Sequence, residues 1–105
     1  VGDRPAKQGA AHVYLLHFSR PLRHARHYIG QTTRADVMER IAEHRAGRGA
    51  RITREAVAAG IELIVARVWA DAPRRYERFL KKQGGARRIC PVCKAEAEAA
   101  KGSMK

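Results

Sequence analysis

Three short runs rich in strand-forming residues, at about 12–18, 27–30 and 61–69, punctuate the chain, and the stretches between them read as loops or helices. The first run holds Val13, Leu15 and either His17 or Phe18. A loop over 19–26, interrupted by Pro21, leads to the returning run His27-Tyr28-Ile29-Gly30. A helix follows over about 35–45, stopped by Gly47 and Gly49. Thr53 is placed to cap a short helix that ends near Ala59. The third run, 61–69, is apolar on both faces, the pattern of a central strand covered on both sides. Asp71-Ala72-Pro73 reads as the start of a helix to Gln83, and an Ala/Glu/Lys-rich helix occupies about 92–101. The order β-β-α-α-β-α-α predicts an α/β (α+β) fold. Its core is a small central three-stranded sheet, the first two strands an antiparallel hairpin, flanked by helices. Residues 1–11 read as a flexible N-terminal arm.

Size permits such a core without staples. A chain of 105 residues buries about 65% of its extended surface on folding. No apolar run is long enough for a transmembrane span, and no secretory leader is visible at the N-terminus. No membrane partner is expected. Two cysteines, Cys90 and Cys93, are no disulfide framework and fit a reducing compartment. A cytoplasmic placement follows, with a secreted toxin domain as the other option.

Charge is unevenly spread. The formal net charge is +12. Residues 20–54 hold nine Arg against three acids, and residues 74–88 hold seven Lys or Arg against Glu77 alone. Two basic blocks in a chain whose remainder nets to zero suit a polyanionic partner. Sixteen of the 22 basic residues are Arg, whose planar fork matches phosphate. Arg20, Arg23, Arg26, Arg34, Arg48, Arg51, Arg54, Lys81 and Lys82 are the candidate nucleic-acid contacts. DNA is the expected partner, and RNA stays open.

Helical spacing adds a candidate site. Arg40 and His44 are four apart and share one edge of the stripe formed by Val37 and Ile41. Glu77 flanks the apolar face of Tyr76 and Leu80. Taken one at a time, these residues have plainer explanations. An Arg stem packs while its head is solvated, a helical Glu forms a surface ion pair, and strand tyrosines such as Tyr14 and Tyr28 belong to a core.

Together they resemble a family. His12-Val13-Tyr14, thirteen residues, then Tyr28-Ile29-Gly30 is similar to the paired motif of the GIY-YIG nuclease superfamily. The resemblance continues through Gly30-Gln31-Thr32-Thr33, Arg40-Ile41-Ala42-Glu43-His44 and Gly47-Arg48-Gly49-Ala50-Arg51-Ile52-Thr53-Arg54. It ends in Glu77-Arg78-Phe79-Leu80-Lys81-Lys82, which looks like the metal-binding helix of the small bacterial members. It covers about residues 12–83, leaving 84–105 as a C-terminal extension with a Cys-Pro-Val-Cys and a helix. His12 and Val13 stand where the first motif has Gly and Ile, and the inter-motif loop is slightly long. That loop, with Arg20, Arg23, His24, Arg26 and His27, reads as an added phosphate-contacting finger.

The resemblance implies a metal-dependent endonuclease that hydrolyses phosphodiester bonds in DNA by a one-metal mechanism. It implies that Tyr14 activates the water, Tyr28 orients the phosphate or water, and Arg40 stabilises the phosphorane. Glu77 would bind one divalent cation, Mg²⁺ or Mn²⁺, and His44 would contact the same site. A guanidinium and a divalent cation are the natural stabilisers of the charge that builds on phosphorus oxygens. Tyrosine ionises near pH 10. Tyr14 therefore either has its pKa lowered by its surroundings or relays a proton without becoming a stable phenolate. The competing reading is a non-catalytic basic nucleic-acid-binding module on the same scaffold.

The tail is half of a zinc site, Cys90 and Cys93. With His44 in the active site and His12 and His17 on the first strand, His24 and His27 are left as further ligands. Their spacing is short for zinc. The expectation is two reduced thiols without metal, and a tail packed as a helix on the domain.

Overall fold

Strand β1 (Ala10–Leu22) organises the molecule. The computed structural model describes residues 10–73, 75–82 and 86–103. Of the expected arm 1–11, residues 1–9 lie outside the described residues, while 10 and 11 begin β1. β1 pairs antiparallel with β2 (Ala25–Thr32) on one side and with β3 (Leu63–Pro73) on the other, giving the order β2-β1-β3. The predicted three-stranded sheet with its N-terminal hairpin is the sheet that forms. Helices α1 (Val37–Arg45) and α2 (Arg51–Ala58) join β2 to β3. After β3 come α3 (Tyr76–Lys81), a 3₁₀ turn over Ala86–Ile89, and α4 (Pro91–Ser103).

Side chains alternate across β1, so one strand feeds two cores. Tyr14, Leu16 and Phe18 point into a core with Ile41, Ala56, Ile61 and Leu63. Val13 and Leu15 point the other way, into a core with Ile29, Ala72, Leu80 and Cys90. Every residue from Ala11 to Phe18 is buried as a result. Each fully buried Leu or Phe contributes about 2 kcal/mol, so β1 supplies a large part of the apolar stabilisation.

Several boundaries differ from expectation. The apolar run that begins at 61 forms not the central strand but an edge strand, half-exposed over much of its length. β1 takes the centre because its own run is buried on both faces. The 19–26 loop is mostly strand, with a turn only at Arg23 and His24, where Arg23 adopts a left-handed φ of 55°. The segment is therefore an extended hairpin rather than a separate loop, and its Arg20, Arg23 and His24 remain exposed. The Arg20 guanidinium donates to the Ala59 carbonyl, and Arg26 lies 3.4 Å from Glu96. β3 runs on through Asp71-Ala72-Pro73, where a helix start was expected, so α3 has only six residues. The extension has a tertiary cause. The His12 Nδ1 accepts from the Asp71 N–H at 3.2 Å, where β1 and β3 shift register and Asp71 takes a positive φ. Asp tolerates that conformation better than most residues.

α1 starts where Asp36 accepts from the Met38 N–H at 2.9 Å, a side-chain cap. Thr53 is not the cap of α2 but lies inside it, with its hydroxyl donating back to the Ala50 carbonyl. Among the described residues, no helix is long and apolar enough to cross a membrane.

Candidate active site

Tyr14 and Tyr28 reach the same face of the sheet because of the hairpin register. Tyr14 pairs with Gly30, and Leu16 pairs with Tyr28, so the two tyrosines are diagonal neighbours. Their ring centroids are 6.3 Å apart. Gly30 makes this possible. A Cβ on Gly30 would stand 2.5 Å from the Tyr14 hydroxyl and 2.7 Å from Tyr28 Cε2, so only a residue without a side chain admits both rings.

His44 completes the cluster from α1. Its ring centroid is 5.7 Å from that of Tyr14 and 5.2 Å from that of Tyr28. The hydrogen bonds around it fix its tautomer. The Thr53 hydroxyl donates to the Ala50 carbonyl at 2.8 Å, so its oxygen is the acceptor for His44 Nδ1–H at 2.8 Å. His44 Nε2 then carries no hydrogen, and the Tyr14 hydroxyl donates to it at 2.7 Å. One directed chain runs from Tyr14 through His44 and Thr53 to the backbone. Gly49 closes it from behind, since a methyl group there would overlap the His44 ring. Thr53 and Gly49 stand in the matched motif stretch, but a sequence pattern does not say that they touch His44.

Arg40 and Glu77 sit within electrostatic reach of both tyrosines. Burial, then the Tyr28 hydroxyl, pushes Tyr14 up to about 12, while the Arg40 guanidinium opposes and Glu77 adds to the rise. Tyr28 is raised by burial first and by Glu77 second, with Arg40 again opposing. The surroundings in the resting site therefore raise, rather than lower, the pKa of Tyr14. Burial, then repulsion from Arg40, pushes His44 down to about 4. Tyr14 and His44 are both neutral at rest, 1% and 0% exposed, whereas Tyr28, Arg40 and Glu77 are half-buried. Arg40 is held by Glu43 at 2.8 Å, and Glu77 by Lys81 at 3.2 Å.

His44 makes stability depend on pH. Its folded pKa lies below the usual 6.5, so the unfolded chain binds the proton more tightly. The stabilisation is fully present above about pH 6.5 and is lost as pH falls toward 4. Between pH 7 and pH 4.5 the loss attributable to His44 is about 2 kcal/mol. Thermal melts across that range are expected to fall more steeply for the parent protein than for His44→Gln. Parallel curves would show that His44 is not held neutral by the fold.

Of the predicted basic contacts, many are engaged within the protein. Arg34 pairs with Glu43 at 2.7 Å, and Arg23 and Arg51 approach Glu55 at 3.8 and 3.5 Å. Arg48, Arg54 and Lys82 are exposed and make no ion pair among the described residues. Such surface pairs are weak and exchange readily for phosphate.

Among the described residues, Glu77 is the carboxylate whose charge acts on both tyrosines. Its hard oxygen suits Mg²⁺ or Mn²⁺, which keeps most of its waters and takes further oxygens from substrate phosphate. Among the described residues, the one grouping of three or more metal-ligating side chains lies elsewhere, at His17, His27, Cys90 and Cys93. The partners of the two cysteines are therefore His17 and His27, not His24 and His27. His24 is exposed in the β1–β2 turn. Burial raises the Cys93 thiol above its ordinary range, which argues against a reactive nucleophile there.

A scan against family models, a search of curated proteins and a search of solved structures find no match to this chain.

Proposed function

We propose that this chain is a metal-dependent endonuclease that hydrolyses phosphodiester bonds in DNA, a nuclease of the GIY-YIG type. The observation that carries the reading is convergence. Tyr14 from β1, Tyr28 from β2, Arg40 and His44 from α1 and Glu77 from α3 meet at one place, though up to 63 positions separate them in sequence. Those are the residues on which the resemblance to the family rests. The basic blocks supply a sequence-independent hold on the DNA backbone. The two unpaired thiols favour a reducing cytoplasm.

The residues divide the work as follows. Glu77 would hold the divalent cation, which when bound would supply positive charge to the phosphate oxygens. Arg40, kept charged and oriented by Glu43, offers its guanidinium to the charge that grows on the phosphorane. Tyr28, partly exposed, positions the phosphate or the attacking water by its hydroxyl. Tyr14 takes a proton from that water while passing its own to His44 Nε2, which it already hydrogen-bonds. The water oxygen bonds to phosphorus as the P–O bond to the leaving oxygen breaks. The leaving oxygen takes a proton from solvent, and His44 returns its proton through Tyr14 to solvent. No stable phenolate forms, in keeping with a hydroxyl whose pKa is about 12. Thr53 holds the His44 ring and the tautomer that leaves Nε2 ready.

Nicking of supercoiled plasmid with Mg²⁺ or Mn²⁺ tests the proposal. The parent protein is expected to nick, and Glu77→Gln to lose at least about 100-fold in rate. DNA affinity of the variant should be unchanged or higher, because a negative charge near phosphate is gone. Parental cleavage by Glu77→Gln would sink the metal role. Tight binding without cleavage by the parent protein, with either metal, would favour the non-catalytic binding module.

A further inference from the structure

The face of β1 opposite Tyr14 carries a second constellation. His17 and His27 are directly paired across the β1–β2 hairpin. The 3₁₀ turn and the start of α4 bring Cys90 and Cys93 against them. We propose that His17, His27, Cys90 and Cys93 form a closed tetrahedral zinc site that clips the C-terminal helix to the hairpin.

The distances are those of such a site. A tetrahedral ion with Zn–S near 2.3 Å and Zn–N near 2.05 Å puts sulfur and nitrogen ligands about 3.6 Å apart and two nitrogens about 3.4 Å apart. His17 Nδ1 lies 3.5 Å from Cys90 Sγ, 3.5 Å from Cys93 Sγ and 3.4 Å from His27 Nε2. His27 Nε2 lies 3.2 Å from Cys93 Sγ, and all four ligand atoms fall within 4.8 Å of one another. Hydrogen bonding does not explain the cluster. One ring nitrogen carries at most one hydrogen or one lone pair, and His17 Nδ1 faces three partners at once.

The surroundings fit as well. The Cys93 N–H points to Cys90 Sγ at 3.4 Å, a backbone donor to a thiolate. His17 is fully buried, and its Nε2 has no hydrogen-bond partner among the described residues. The nearest acceptor is Glu96 Oε2 at 3.6 Å, and the other oxygen of that carboxylate is held by Arg26 at 3.4 Å. A metal-bound imidazole whose far nitrogen faces a carboxylate is a recurrent supporting arrangement. Two thiolates and two imidazoles are a soft donor set that selects zinc over Mg²⁺ or Mn²⁺. With four protein ligands and apolar neighbours such as Leu15, Ile29 and Leu80, no position is left for substrate. The site is structural, and binding sends the two thiol protons to solvent.

The test is metal binding by the full chain, which needs no cleavage activity and so stands or falls apart from the nuclease reading. Protein stripped by chelator is titrated with Co²⁺ and then Zn²⁺. One Co²⁺ per chain is expected, with the intense visible bands of a tetrahedral site and a near-ultraviolet thiolate band, both lost when Zn²⁺ displaces it. One equivalent of Zn²⁺ should raise the melting temperature by ~10 °C or more. Cys93→Ser and His17→Ala should each weaken binding at least about 100-fold, while His24→Ala leaves it unchanged. Absence of Co²⁺ binding, a weak octahedral spectrum, or undiminished binding by both ligand variants overturns the proposal. Should the ligand variants fail to fold, the parent protein's cobalt spectrum decides alone, by the presence or absence of the thiolate band.

Discussion

A Gly30→Ala protein is expected to melt about 10–20 °C below the parent and to lose its cleavage activity with it. The added methyl group meets the Tyr14 hydroxyl at 2.5 Å, Tyr14 Cζ at 2.6 Å and Tyr28 Cε2 at 2.7 Å. These atoms belong to rigid rings, and Tyr14 is 1% exposed, so it has no free volume to move into. Overpacking of this kind costs about 3 kcal/mol. Any relief by ring movement breaks the 2.7 Å bond from Tyr14 to His44, so stability and chemistry fall together. Differential scanning calorimetry and plasmid nicking read the two losses. A variant that melts within about 2 °C of the parent would mean that the rings are not packed against Gly30.

Tyr14→Phe separates chemistry from packing. The ring stays and the core stays filled, but the hydrogen bond to His44 that the proposed relay uses is lost. Cleavage should fall by about 10²–10⁴-fold. Stability should fall by only about 1–3 kcal/mol, the cost of leaving the buried His44 Nε2 without its donor. His44→Ala should cost a similar factor in rate, and the double variant little more, because the two act as one unit. Additive losses would mean that Tyr14 and His44 act independently.

The hairpin and the tyrosine pair were legible in the sequence because their signals are local. The strand-forming run over about 12–18 marked β1, and Tyr28-Ile29-Gly30 marked the returning strand. The choice of central strand was not, since both β1 and β3 are apolar enough and only the pairing between distant strands decides. The length of β3 turned on one tertiary hydrogen bond, from the Asp71 N–H to His12, which overrides the helix signal of Asp71-Ala72-Pro73. The Cys90–Cys93 pair was plain, but its partners were not. His17 reads as one more residue of a buried strand. Its ligand role appears only when β1, β2 and the start of α4 are set side by side.

The strand that holds Tyr14 is paired on both edges and buried on both faces, whereas the helix that holds Glu77 has six residues and one buried anchor, Leu80. Amides of β1 then exchange with solvent only when the whole domain opens, and those of α3 by a local excursion of low free energy. The two halves of the site thus differ in mechanical character. On the proposed nuclease reading, the proton-handling half is a fixed wall, and the carboxylate half is a jaw whose position a bound phosphate backbone is able to set.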